Sequence, residues 1–366
     1  MMTYEKHLKN TFKNKAMSII KHPYFGFVII SLLMLLLQIL RFAGVEVPIT
    51  VLRGFGRTMI YIIIGLGFSI LLGYGGLASL GTAGFVGSGA YFLAYFTVDQ
   101  GLSIFMIILI TIIFAIVLGT IIGFISLRIE GMYLAIITLA ISQIINEVFK
   151  NWTQVTNGDD GILVDNNLVL FNKFIQFDHN TIFIIIVILL FFIMAITFNI
   201  MKSPTGRALL AMRNSSSAAQ AMGISIFKFR LLAFIISTVY ALFAGVLYGS
   251  YFRIVTPTDW TLNFSLLILA AVIVGGSRSI YGIVLGTFLI FGLDLVVLQN
   301  RNNFGGFFVE NPGITIMFNG LLIVLVIMFY KGGLIRLVNT TYHKLKKLFT
   351  KYYNKWRVYR YGTDTE

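Results

Sequence analysis

The sequence contains no cysteine, so disulfides and thiolate chemistry are excluded and the redox compartment cannot be read from it. Charge is scarce. Asp, Glu, Lys and Arg make up 11% of the 366 residues, against roughly a quarter in soluble domains. The histidines His7, His22, His179 and His343 all stand outside the long apolar runs, and there is no HExxH motif. Ser88, within Gly87-Ser88-Gly89, has no histidine at membrane depth to activate it. Intramembrane proteolysis is thereby disfavoured, and no catalytic residue is assigned. A phosphate-binding loop ending in Gly-Lys-Ser/Thr is also absent, so the chain does not hydrolyse nucleotide by that route. No cofactor or metal is expected. The Asn157-Gly158-Asp159-Asp160-Gly161 stretch is too short for an EF-hand and reads as a tight turn.

What the chain has in abundance is apolar residues, 58% of the total, gathered in long contiguous blocks. Blocks of that length cross a hydrocarbon core of about 30 Å as helices. Contiguity also excludes an outer-membrane barrel, whose strands alternate. The expected fold is an all-α polytopic membrane protein with about ten segments, at 25–40, 58–72, 80–97, 102–127, 131–149, 181–200, 231–250, 262–276, 281–298 and 313–330. Segment 80–97 opens with Leu80-Gly81-Thr82-Ala83-Gly84 and reads as a broken or re-entrant helix, which is tolerable only where protein covers the backbone. The first run follows a basic leader and lacks a small-residue cleavage site, so it reads as a retained helix. The chain divides into a leader, 1–24, a transmembrane domain, 25–330, and a basic tail, 331–366.

The net charge of +14 raises nucleic acid as a partner, but the placement of charge argues for a membrane. With the amino terminus inside, an even number of segments puts both termini in the cytoplasm. Of the 28 basic residues, 21 then fall in segments assigned inside and seven outside. That is the bias the positive-inside rule demands. Asp159, Asp160, Asp165 and Asp178 cluster in the external loop 150–180. Tyr352, Tyr353 and Trp356 among the tail's lysines suit an anionic lipid surface rather than nucleic acid.

Within the segments, glycines four apart (Gly119/Gly123, Gly245/Gly249 and Gly282/Gly286) notch single helix faces and predict close helix packing inside the chain. Thr138, Ser142 and Asn146, also four apart, form one stripe, with Gln143 and Glu147 to its side. Such a stripe faces either a neighbour or a water-filled path. Thr138, Ser142, Asn146, Glu147 and Asp294 are the candidate path residues. Neither carboxylate has an assignable basic partner, and no inverted repeat is visible, so an ion-coupled stand-alone carrier is disfavoured.

The segment 201–230 carries Lys202, Arg207, Arg213, Lys228 and Arg230 with no acid. Ser203 and Pro204 read as the cap and first position of a short helix, and the Ala-, Leu- and Met-rich run 207–222 continues it to a stop at Gly223.

Four stretches together resemble a known family. They are Gly73-Tyr74-Gly75-Gly76-Leu77-Ala78-Ser79-Leu80-Gly81 with Gly87-Ser88-Gly89-Ala90-Tyr91; Arg128-Ile129-Glu130-Gly131-Met132-Tyr133 through Ala140, with 157–161 downstream; Gly206-Arg207-Ala208 through Met222-Gly223-Ile224; and Val274-Gly275-Gly276-Ser277-Arg278-Ser279-Ile280-Tyr281-Gly282. In this order they resemble the larger permease subunit of branched-chain amino acid ABC importers. The resemblance implies a cell-membrane permease paired with a second, homologous permease, two ATP-binding subunits and an extracytoplasmic substrate-binding protein. It also implies that the segment from Gly206 through Arg207, Arg213, Ala218 and Ala219 to Gly223 is the coupling helix. The chain departs from the family pattern at Thr82, where histidine is usual, and at Asn214 and Ser215 to Ser217, where acids are usual. Relatives of the same build carry urea or short amides, and more distant ones sugars and nucleosides, so the substrate stays open at this point.

Overall fold

The computed structural model describes residues 23–44, 48–98, 102–127, 132–164, 167–170, 173–176 and 179–292, with scattered helical positions between 317 and 352. All of the leader before Pro23, Arg128 to Glu130, Asp165, Asp178, Asp294 and most of segments 313–330 and 331–366 lie outside the described residues.

The helices are α1 (Pro23–Phe42), α2 (Ile49–Phe68), α3 (Thr82–Val98), α4 (Ile104–Ser126), α5 (Met132–Asn151), α6 (His179–Lys202), α7 (Pro204–Asn214), α8 (Ser216–Ala221), α9 (Ile226–Phe252), α10 (Leu262–Gly275) and α11 (Ile280–Thr287). α2 continues as a π-helical turn, Ser69–Tyr74, and α11 as another, Phe288–Gly292. Among the described residues, seven helices are long and apolar enough to cross a membrane. At 1.5 Å per residue, the 27 residues of α9 span about 40 Å. α3 has 17 residues, α10 14 and α11 eight before its π-helical turn.

α2 and α9 form the centre. In α2, 83% of the most apolar window is buried, against 22% in α4, whose outer face shows Leu109, Ile113, Val117 and Phe124. Lipid tails are as apolar as leucine, so helices associate by close packing rather than by hydrophobic drive. The glycine pairs do this work. At the α3–α9 crossing a Cβ on Gly89 would collide with the Leu242 carbonyl, and one on Gly245 with the Val86 carbonyl. Gly119 and Gly123 bring α4 onto Thr238 and Phe234 of α9, and Gly282 and Gly286 bring α11 onto Gly275 and Ala271 of α10. All three predicted pairs pack within the chain.

The loops sort into two ends. At one, Tyr24 donates to Asn199 at 2.5 Å, Arg213 donates to the Gly73 carbonyl, Gly73 abuts the Ser277 carbonyl, and Gly276 lies against Gly333. At the other, Arg41 donates to Asn180 at 3.0 Å and Tyr251 to the Leu52 carbonyl at 3.0 Å. There too the two-residue strands β1 (Ile162–Leu163) and β4 (Ile254–Val255) pair antiparallel. A hairpin of β2 (Asn167–Leu170) and β3 (Lys173–Gln176) stands between β1 and α6. Every one of these contacts joins segments that the charge distribution assigned to the same side.

Candidate functional site: the coupling segment and the polar stripe

The polypeptide leaves α6 at Lys202 and turns at once. Ser203 is extended (φ −68°, ψ 170°), its hydroxyl accepts from the Gly206 amide at 3.4 Å, and Pro204 takes the first helical position. This is the expected start, with proline where a helix has no use for the amide hydrogen. Gly206 is needed for the tightness of the turn, because a Cβ there would strike the Met201 carbonyl. α7 then lays Ala208, Leu209 and Met212 on the bundle and leaves Arg207 and Arg213 outward.

The single helix expected over 207–222 is two helices. Ser215 is extended (φ −157°, ψ 107°), and its hydroxyl caps α8 by accepting from the Ala218 amide at 3.3 Å. Serines compete with helical hydrogen bonding by bonding locally, and a run of three favours a break and a new cap over continuation. α8 ends as foreseen at Gly223, whose φ of 80° only glycine adopts at little cost. The Gly223 amide donates to Gln220 and the Ile224 amide to Ala219, both at 3.0 Å, which closes the last turn. Ala219 is buried, while Ala218 and Met222 face outward, Met222 being 83% exposed.

Three arginines fasten this unit, Arg230 of α9 by donating to the Ser216 hydroxyl at the start of α8 at 3.4 Å. Arg207 donates to the Lys202 carbonyl at 2.9 Å, tying α7 to the end of α6. Arg213 donates to the Gly73 carbonyl in the π-helical turn of α2, and its stem rests against Gly76. Partial burial, and then the nearby charge of Arg278, lower its proton affinity below the ordinary arginine value. π-helical turns are frequent at functional places in helices, and this one receives the only direct tie from α7 to α2 that a side chain makes among the described residues.

The α5 stripe points into the protein. The Thr138 hydroxyl accepts from the Leu80 amide at 2.9 Å, and the Ser142 hydroxyl from the Gly84 amide at 2.9 Å. Asn146 donates to the Pro257 and Trp260 carbonyls at 2.9 and 3.1 Å. Ser265 of α10 takes the Ala83 amide at 2.9 Å. The broken start of α3 is thus covered, its free amides bonded by hydroxyls from α5 and α10, as low dielectric requires. Of the two alternatives that the spacing left open, a neighbour and a water-filled path, the bonds of Thr138, Ser142 and Asn146 in this structure go to neighbouring backbone. Glu147 is exposed and pairs with Lys150 at 3.0 Å, and Gln143, one turn earlier, is exposed on the same side. Asp294 lies outside the described residues. Ser88 donates to the Gly84 carbonyl at 2.8 Å. It also borders an apolar groove of about 450 Å³ between α3, α4 and α5, with Tyr91, Phe92, Phe114 and Trp152.

Comparison with known proteins adds the following. The family model described as "Branched-chain amino acid transport system / permease component" matches residues 50–342. The high-affinity branched-chain amino acid transport system permease protein LivM of Escherichia coli K12 is 31% identical over 297 residues, 75% of this chain and 68% of that protein. LivM of Salmonella typhimurium is 30% identical over 299 residues, with the same shares of each chain. The probable LivM of Methanocaldococcus jannaschii is 28% identical over 243 residues, 63% of this chain and 68% of its own. No solved structure matches.

Proposed function

The chain belongs to the family of permease components of branched-chain amino acid transport systems, and we propose that it passes leucine, isoleucine and valine inward as one permease of an ABC importer. It is a multi-pass membrane subunit of a transporter. In this reading two ATP-binding subunits supply the energy, a second, homologous permease completes the passage, and an extracytoplasmic binding protein delivers the solute. The end bearing α7 and α8 faces the cytoplasm together with both termini, in the plasma membrane. The basic leader 1–24 and tail 331–366 flank the permease domain 25–330 and meet anionic lipid.

The observation that carries the proposal is the α7–α8 unit: two capped helices outside the bundle, tied to α6 by Arg207 and to α2 by Arg213, with Ala218 and Met222 outward. A unit so tied moves as a lever when an attached subunit closes, and the glycine crossings of α3, α9, α10 and α11 are surfaces on which the bundle can rock. Gly206, Arg207, Arg213, Ala218, Ala219 and Gly223 are the coupling residues. On the passage side we place Gln143 and Glu147, because polar groups exposed on a membrane helix do not face hydrocarbon. Asp294 keeps its place there on sequence alone.

Reconstitution tests this. The complete complex in liposomes should take up radiolabelled leucine only with internal ATP and added binding protein. Gradient-driven uptake by the lone chain would overturn the reading. Uptake of urea but not leucine by the full complex would move the substrate while leaving the architecture.

A further inference from the structure

Arg278 has entered so far only through the influence of its charge on Arg213. It stands in the short loop between α10 and α11, exposed, with neither a hydrogen bond nor an ion pair among the described residues. Its neighbour Ser277 presents its carbonyl to Gly73, so closely that a Cβ on Gly73 would collide with it. The Gly73 carbonyl in turn receives the Arg213 guanidinium. Two arginines from segments far apart in sequence therefore flank one backbone turn at the coupling end, near enough for the charge of Arg278 to act on Arg213. The described carboxylates, Glu147, Asp159, Asp160 and Asp259, all belong to the other end. Among the described residues these like charges have no counter-charge at this end, an unfavourable arrangement, and the forked guanidinium geometry suits a carboxylate or phosphate.

We propose that Arg213 and Arg278 together receive a carboxylate of the ATP-hydrolysing subunit, so that its docking surface reaches from α7–α8 across to the α10–α11 loop. The proposal rests on the coupling reading above. A protein carboxylate is favoured over a lipid headgroup by what surrounds the pair. α8 has no basic residue of its own, the Arg230 guanidinium beside it is engaged with Ser216 at 3.4 Å, and Ala218 with the 83% exposed Met222 offers an apolar patch of the kind a folded partner covers. A carboxylate seated on both arginines pulls on α7, on the π-helical end of α2 and on the α10–α11 loop at once, because all three meet at Gly73. One contact then moves both sides of the bundle.

The test uses the permease pair in nanodiscs of phosphatidylcholine, with the purified ATP-hydrolysing subunit titrated at rising salt. Wild type should bind in a salt-sensitive manner, Arg278→Lys should keep most of the affinity, and Arg278→Glu should weaken binding by about tenfold or more. Ser279→Cys, unique in this cysteine-free chain, should cross-link to that subunit when it carries a photoactivatable group. Unchanged binding by a monodisperse Arg278→Glu protein, with no cross-link, would overturn the proposal. So would protection of the introduced thiol by phosphatidylglycerol in place of the subunit, which would make the ligand a lipid phosphate. If Ala218→Glu abolishes binding while Arg278→Glu does not, the coupling reading stands and only this extension falls. If wild type does not bind at all, the coupling reading itself fails.

Discussion

The amide of Gly84 donates to the hydroxyl of Ser142 at 2.9 Å, and this bond stitches the start of one membrane helix to the middle of another. With the Leu80–Thr138 and Ala83–Ser265 bonds beside it, it lets α3 begin inside the bundle after an irregular stretch. A buried amide that loses its acceptor keeps the full desolvation cost, about 1–3 kcal/mol. Ser142→Ala should therefore lower stability by about that amount, read as a downward shift of the thermal midpoint in detergent. Gln143→Ala, one residue away and exposed, should shift it by no more than about 0.5 kcal/mol. Equal effects of the two would remove the stitching role.

The α3–α9 crossing gives a second test. Gly245 leaves no room for a side chain, since the Val86 carbonyl and the Ala90 amide, the latter 2.8 Å from an added Cβ, are both backbone. Backbone cannot swing aside as a flexible side chain does. Gly245→Ala should cost about 1–3 kcal/mol by forcing the helices apart, and Gly245→Leu should abolish accumulation of monodisperse protein. Gly223→Ala, by contrast, meets no atom within 4 Å. It pays only for its left-handed backbone, about 1–2 kcal/mol, and confined to the end of α8.

The sequence made these glycine faces readable because four-residue spacing is a property of a single helix. It could not say which helix each face would meet, since that is decided through space. The same limit explains the α5 stripe. Thr138, Ser142 and Asn146 had to share a face, but nothing local told a water-filled path from a neighbour's backbone amides and carbonyls. The caps Ser203 and Gly223 were legible because their chemistry is complete within a few residues. The break at Ser215 was hidden by alanines on either side with high helix propensity, against which three consecutive serines carried little weight. Arg213 was visible as a charge, and its partner, a backbone carbonyl distant in sequence, was not.

Orientation can be tested with single cysteines, because the chain has none of its own. Met222→Cys, at an 83% exposed position beside Gly223, should react with a membrane-impermeant maleimide only after the cytoplasmic side is opened. Asp160→Cys, in the exposed turn at the opposite end, should react in intact cells. The reverse pattern would invert the assignment and remove the coupling role of α7 and α8 with it.

Coupling itself is tested at the two ends of the α7–α8 unit. Arg207 ties the start of α7 to the end of α6 through the Lys202 carbonyl at 2.9 Å. Arg207→Glu replaces that donor with a carboxylate, which cannot donate and is repelled by the carbonyl. A glycine inserted after Ala218 instead loosens α8, whose six residues already depend on a cap at each end. Both changes lie outside the apolar segments, so membrane insertion and the size of the purified protein should be unchanged. A lever that bends no longer transmits, and the assembled complex should go on hydrolysing ATP while leucine uptake falls to the level seen without ATP. Normal uptake by both variants would show that force enters the bundle elsewhere. Loss of ATP hydrolysis together with loss of assembly would instead assign these residues to docking alone.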